Sequence, residues 1–247
     1  MAAAVSFVRS AHFTNFHFVA FEAYDADVER SSIHFVMAVL IAGIAPGQQQ
    51  VGHDIIARLL PDGNPHRIVS LDTAEKNTAV KQLRAAQKAA TDEQSVEVAF
   101  LLAAYDSDYE KNRDYLIENL RGCTTPALKS GCDRSIAHYL IVLYERGHKD
   151  VLKPLMLLGK DSYNPIVSEG LGDFFSDLLA DSPGAFLDTI RQFEPQAQKQ
   201  LCDLAGAADG DGLSADKFQR VQKELKARND ELSLTCLQVI EAANRPE

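Results

Sequence analysis

The chain contains no tryptophan, only 8% aromatic residues and just four cysteines in 247 residues. No CxxC pair occurs and no histidine is spaced to complete a zinc site, so a zinc ribbon or finger is not expected. HExxH is missing, which removes the common metallohydrolase arrangement of two histidines on one helical face. There is no GxSxG elbow, Walker loop or GxGxxG after a strand-like run, so the usual hydrolase, nucleotide and dinucleotide sites have no footing, and no cofactor is expected. Ser214-Ala215-Asp216-Lys217 spells SxxK, but the companion SDN and KTG elements are absent, and Ser214 reads better as a helix N-cap. An excess of basic charge is lacking as well. Lys+Arg number 25 against 35 Asp+Glu, a net charge of −10, with a pI near 5.2. A phosphate-binding surface for nucleic acid is therefore not expected.

What is present divides near residue 48. Six of the twelve phenylalanines fall in the first 35 residues, and the only Lys or Arg before 48 are Arg9 and Arg30. From Ser31 to Gly52 no charged residue occurs, and Phe35 to Ala45 (FVMAVLIAGIA) is an unbroken apolar or small-residue run of eleven. A membrane span needs roughly 20 such residues, whereas this length suits the h-region of a secretory signal. Ala45-Pro46-Gly47 places small residues at −3 and −1 of a cut after Gly47, ahead of a polar Gln48-Gln49-Gln50 start. Glu22, Asp25, Asp27 and Glu29 do not fit a basic n-region; a bacterial start at Val28, from a GTG codon, reconciles them. On that reading 1–27 is a leader outside the native protein, 28–47 is the signal, and 48–247 is the mature domain. The expected location is periplasmic or extracellular, with no stable membrane span after signal removal. The alternatives are a cytoplasmic protein that buries the run, or one anchored by an uncleaved signal.

All four cysteines, Cys123, Cys132, Cys202 and Cys236, follow the proposed cut. Cys123 and Cys132 bracket a loop-like TTPALKSG segment whose closure would stabilise by roughly 2–4 kcal/mol. Cys202 and Cys236 lie in separate helical patterns that could pack side by side. Disulfide pairing is one reading of these two, and small buried core residues the other.

Beyond Gln50 the apolar period is helical. Ile136, Tyr139, Leu140 and Leu143 form an i, i+3, i+4, i+7 face that stops at Gly147. Val167, Leu171, Phe174 and Leu178 form another, as do Phe186, Ile190 and Phe193, and then Phe218, Val221 and Leu225. Val96 to Tyr105 is apolar nearly all round and predicts a central buried helix. Asp72 with Glu75 forms a capping box, Asn164-Pro165 and Ser182-Pro183 are helix starts, and Pro154 marks a first turn or a kink. The fold class is all-α, with about ten helices. Aligning AFLLAAYDSDYEKNRDYLIENL from Ala99 with HYLIVLYERGHKDVLKPLMLLG from His138 and DFFSDLLADSPGAFLDTIRQFE from Asp173 superposes helix, polar turn and helix at offsets of 39 and 35 residues. Such periods predict antiparallel hairpins stacked as a short α-solenoid, with an irregular helical bundle as the alternative. Over about residues 95–194 this array resembles HEAT-type repeats, a resemblance of spacing and apolar pattern that implies an extended protein-binding surface. Arg146 to Val151 is also similar to the second half of an ankyrin repeat, although Ser135-Ile136-Ala137-His138 departs from the Thr-Pro-Leu-His turn of that family.

Two segments carry candidate chemistry. The 207–218 stretch has the outline of an EF-hand loop, with Asp209, Asp211 and Asp216 as potential calcium ligands. Ala207 and Phe218 replace its first ligand and its bidentate glutamate, however, so a glycine-rich turn is the plainer reading. Tyr105, Asp106, Asp108 and Tyr109 fall at a hairpin turn, and turns of solenoids line binding edges, so these four are the contact candidates. The sequence thus predicts a non-catalytic module whose partner is another protein. Its rivals are an enzyme whose site assembles from scattered residues such as His53, His138, Asp106, Asp173 and Asp177, and a weak calcium-binding module at 207–218.

Overall fold

The structure is a computed structural model that describes residues 46–90, 92–124, 134–160, 165–207 and 212–244. The 1–27 leader, all but the last two residues of the 28–47 signal-like segment, Cys132, Asn164, Asp209 and Asp211 lie outside the described residues. Eleven α-helices make up the described chain: α1 (Pro46–Leu59), α2 (Thr73–Gln87), α3 (Asp92–Ala104), α4 (Tyr109–Thr124), α5 (Arg134–Glu145), α6 (Leu152–Lys160), α7 (Pro165–Asp181), α8 (Pro183–Ile190), α9 (Pro195–Ala207), α10 (Ala215–Arg228) and α11 (Glu231–Ala243). No strand occurs among the described residues. The cut expected after Gly47 would fall in the first turn of α1.

Local sequence explains where these helices begin. Asp72 accepts from the backbone N–H groups of Ala74 and Glu75 while Glu75 accepts from that of Asp72, a complete capping box. Ser214 caps α10 through the Lys217 N–H, and Asp230 caps α11 through that of Ser233. Pro154 falls in the first turn of α6, where its missing N–H has no intrahelical partner to lose. Ser182 holds the N-cap position of α8, but its side chain makes no capping bond. Pro183 at N1 sets the entry geometry there without it.

The helices pack in chain order. Neighbours α1 with α2, α3 with α4, and α7 with α8 pack together, and α1, α3, α5, α7, α9 and α11 touch in succession. α4, α6, α8 and α10 do the same, so two layers run alongside each other, and no substantial helix contact joins elements more than three places apart. Packing of this near-neighbour kind is consistent with stacked hairpins and equally with a helical bundle. Four polar links near the C-terminal end have similar separations, whereas Lys76–Asp106, Arg84–Ser107 and Gln87–Asn112 span only 30, 23 and 25 residues. Lys153 donates to Gln192, Arg191 to Asp230 and Arg220 to Asp181, each across 39 residues, and Asn244 donates to the Gly206 carbonyl oxygen across 38. A disulfide joins Cys202 on α9 to Cys236 on α11 across 34 residues, with the Cα atoms 5.2 Å apart.

Burial follows the layers. Val98 through Tyr105 are all buried, so α3 is the central helix its composition predicts. Phe100 stacks on Tyr139 of α5 with ring centroids 4.5 Å apart. On α7, Phe175 is fully buried and Phe174 only partly so. The apolar face of that helix is therefore rotated slightly from the 167, 171, 174, 178 pattern, because α7 is covered by α9 as well as by α5.

Candidate functional site

The α3–α4 and α5–α6 turns lie side by side and form a polar edge braced by several side-chain links. At the end of α3, Asp106 and Asp108 take the left-handed conformation, with φ of 56° and 48°. Aspartate tolerates it better than most residues, because its short polar side chain can hydrogen-bond locally and offset part of the Cβ clash. The Ser107 N–H bonds back to the Leu102 carbonyl oxygen at 2.8 Å and closes the turn. Asn112, 2% exposed, holds it from inside. Its amide nitrogen donates to the carbonyl oxygens of Ser107 and Asp108, and its oxygen accepts from Gln87. A buried amide satisfied on both ends fixes the turn at little cost.

From this rigid base the two aspartates reach outward. Asp106 accepts from Lys76 Nζ of α2 at 3.1 Å and lies 3.5 Å from His148 Nε2 in the α5–α6 turn. Asp108 pairs with Arg84 of α2 at 2.9 Å. The Tyr109 ring stacks on the His148 ring at 4.1 Å, its hydroxyl donates to Asp150 Oδ1 at 2.8 Å, and Arg113 sits over the ring while pairing with the other oxygen of Asp150. Burial, followed by the neighbouring Asp150 carboxylate, pushes the Tyr109 hydroxyl well above its ordinary pKa. For Asp150 burial acts upward, but the bonds from Arg113 and Tyr109 outweigh it and hold the carboxyl below its ordinary range.

Tyr105 does not join this surface. It is 4% exposed, and its hydroxyl donates to the Val69 carbonyl oxygen at 2.7 Å, so the last turn of α3 carries its ring into the core. Burial raises its pKa, against a smaller lowering by Arg146 and Arg58. Of the four predicted contact residues, Asp106, Asp108 and Tyr109 come together, and Tyr105 is a packing residue. The structure adds His148, Arg113, Asp150 and Asn112, which the sequence did not mark as contact residues. Their signal was separation: Asp150 lies 41 residues from Tyr109 and 37 from Arg113, close to the hairpin offset. Beside the aspartates a concavity of about 430 Å³ is lined by Ala104, Asp106, Arg146, Gly147 and His148. Arg146 donates to the Ala104 carbonyl oxygen there and so satisfies the end of α3.

The scattered histidines and aspartates belong to different places. His53 lines a separate concavity of about 400 Å³ with Ile56 and Leu60. His138 stands edge-on to His66 with ring centroids 6.4 Å apart. Asp177 on α7 pairs with Lys217 of α10 at 2.7 Å, and Asp173 lies one turn earlier on the same helix. Asp216 is exposed in the first turn of α10. Among the described residues no three His, Cys, Asp or Glu side chains converge to hold a metal ion. The chain matches no known family, no curated protein and no solved structure.

Proposed function

We propose that the chain is an exported, HEAT-like helical-repeat module that binds another protein along the edge formed by the α3–α4 and α5–α6 turns, without catalysis of its own. The observation that carries this reading is the bracing of that edge. Asp106, Asp108 and Tyr109 are held by partners on two neighbouring elements, α2 and the α5–α6 turn, so a partner would meet a preformed surface with little ordering cost. Stacked hairpins offer such edges as extended surfaces, and the acidic balance of the chain disfavours nucleic acid as the partner.

Export is supported by the Cys202–Cys236 disulfide, since such bonds persist in oxidising compartments. Among the described residues no helix is long and apolar enough to cross a membrane. The intact, non-reduced mass of protein purified from its own host tests this part: a chain starting at Gln48 is the expected result, and a full-length chain with free thiols the contrary one. Binding is tested by crosslinking the wild type and an Asp106→Lys, Asp108→Lys double variant in cell-envelope extracts. The expected result is a discrete wild-type adduct that the variant loses while keeping its helical circular dichroism. Adducts identical in the two proteins would remove this edge from the reading, and turnover of a substrate by the purified chain would remove the non-catalytic part.

A further inference from the structure

The connection between α1 and α2 differs from the short turns at the other hairpins. It contains two 3-10 turns, Pro61–Gly63 and Pro65–Arg67, and the second packs on α5 with Pro65 buried and His66 Nδ1 3.3 Å from Glu145. Val69 is then fixed from two sides: its N–H donates to the Leu59 carbonyl oxygen at 3.1 Å, and its own carbonyl oxygen accepts from the Tyr105 hydroxyl. Pinned in this way, the strap forms one wall of a concavity of about 480 Å³ against the end of α1 and the start of α2. Leu59, Val69, Leu71 and Ala74 supply apolar lining, and Arg58 and Glu75 supply charge. The volume lies in the range of small-molecule sites.

The polar groups of this concavity are unequally engaged. Thr78 donates its hydroxyl to the Ala74 carbonyl oxygen. Glu75 accepts from the Asp72 N–H with one oxygen, which leaves the other available. Arg58 makes one hydrogen bond, to the Gln82 side-chain oxygen at 3.1 Å. Among the described residues it has no carboxylate within ion-pair distance, although a guanidinium has five N–H donors. Opposite charges therefore line one concavity without pairing to each other.

We infer that this concavity binds a free α-amino acid with an aliphatic side chain. The carboxylate pairs with Arg58, the ammonium with Glu75, and the side chain lies on Leu59, Val69, Leu71 and Ala74. A simple carboxylic acid would bring a like charge beside Glu75, and a simple amine would bring one beside Arg58. A zwitterion satisfies both, and its aliphatic branch covers the apolar lining. This assignment is independent of the protein-binding reading of the turn edge.

Calorimetric and NMR titrations of the full chain with L-leucine, N-acetyl-L-leucine and L-leucinamide test it. L-Leucine should saturate with a dissociation constant on the order of 1 mM, within reach of a ligand of its size. Blocking either charge should weaken binding by about tenfold or more, the loss of one charge-assisted contact. Arg58→Gln should weaken leucine by a similar factor. Ala74→Leu, at an exposed position in the first turn of α2, should abolish binding by filling the floor, with unchanged helical circular dichroism. The inference is overturned if leucine shows no saturation by about 50 mM, if the three ligands bind alike, or if Arg58→Gln leaves the affinity unaltered.

Discussion

Removing the Cys202–Cys236 bridge by the double substitution Cys202→Ala, Cys236→Ala tests the array architecture while leaving Cys123 and Cys132 in place. The bridge closes a segment of 34 residues, for which chain entropy gives about 3.8 kcal/mol of stabilisation at 25 °C. In a chain of this size that corresponds to a fall in Tm of about 8–15 °C. Both cysteines are fully buried, so the two lost sulfurs add a packing cost in the same direction. Because contacts run only between near neighbours in the stack, the loss should be concentrated at the C-terminal end. Scanning calorimetry measures the shift, and native-state hydrogen exchange locates it. Amides of α9, α10 and α11 should exchange faster, while those of α3 and α5 keep most of their protection. Equal loss of protection across all eleven helices would refute the near-neighbour reasoning, since it would mean that the described chain unfolds as one bundle. An unchanged Tm would refute the cross-link as a source of stability.

Other perturbations have equally definite outcomes. Gly159→Ala would place a Cβ 2.9 Å from Phe175 and 3.3 Å from Leu204, both packed against the core, and should destabilise by about 1–3 kcal/mol in urea unfolding. Asn244 accepts from the Leu213 N–H and donates to the carbonyl oxygens of Gly206 and Ile240. Asn244→Ala should therefore cost about 1–3 kcal/mol by the same assay, with the 207–213 connection opening first in limited proteolysis. The depressed pKa of Asp150 means that its contribution is complete above the unfolded carboxylate range and is lost as pH falls through the lower folded value. Asp150→Asn should flatten the acid limb of the stability profile, by under about 1 kcal/mol because the side chain is 44% exposed.

Most of the helical architecture was legible because it rests on short-range rules. The Asp72–Glu75 box, Pro154 and Ser214 act within one or two turns of chain, and the all-apolar stretch ending at Tyr105 leaves burial on every side as the stable outcome. The candidate site was legible only in part. Asp106, Asp108 and Tyr109 were marked by the polar turn, but Tyr105 belongs to the same string and is buried. Its fate is decided by tertiary contact, since its hydroxyl meets the Val69 carbonyl oxygen under the strap. The strap itself had no periodic signal, and neither did the pairing of Asp150 with Tyr109 and Arg113.

By itself, then, the sequence determined helix content, the hairpin units and their period, because capping, proline geometry and apolar spacing operate between residues that are close along the chain. Tertiary structure decided which charges meet, which tyrosine is buried, that Cys202 faces Cys236, and that Arg58 and Glu75 share one concavity. Those outcomes depend on the rotation of one helix against another and on the path of the 60–72 connection, distances that no local pattern encodes.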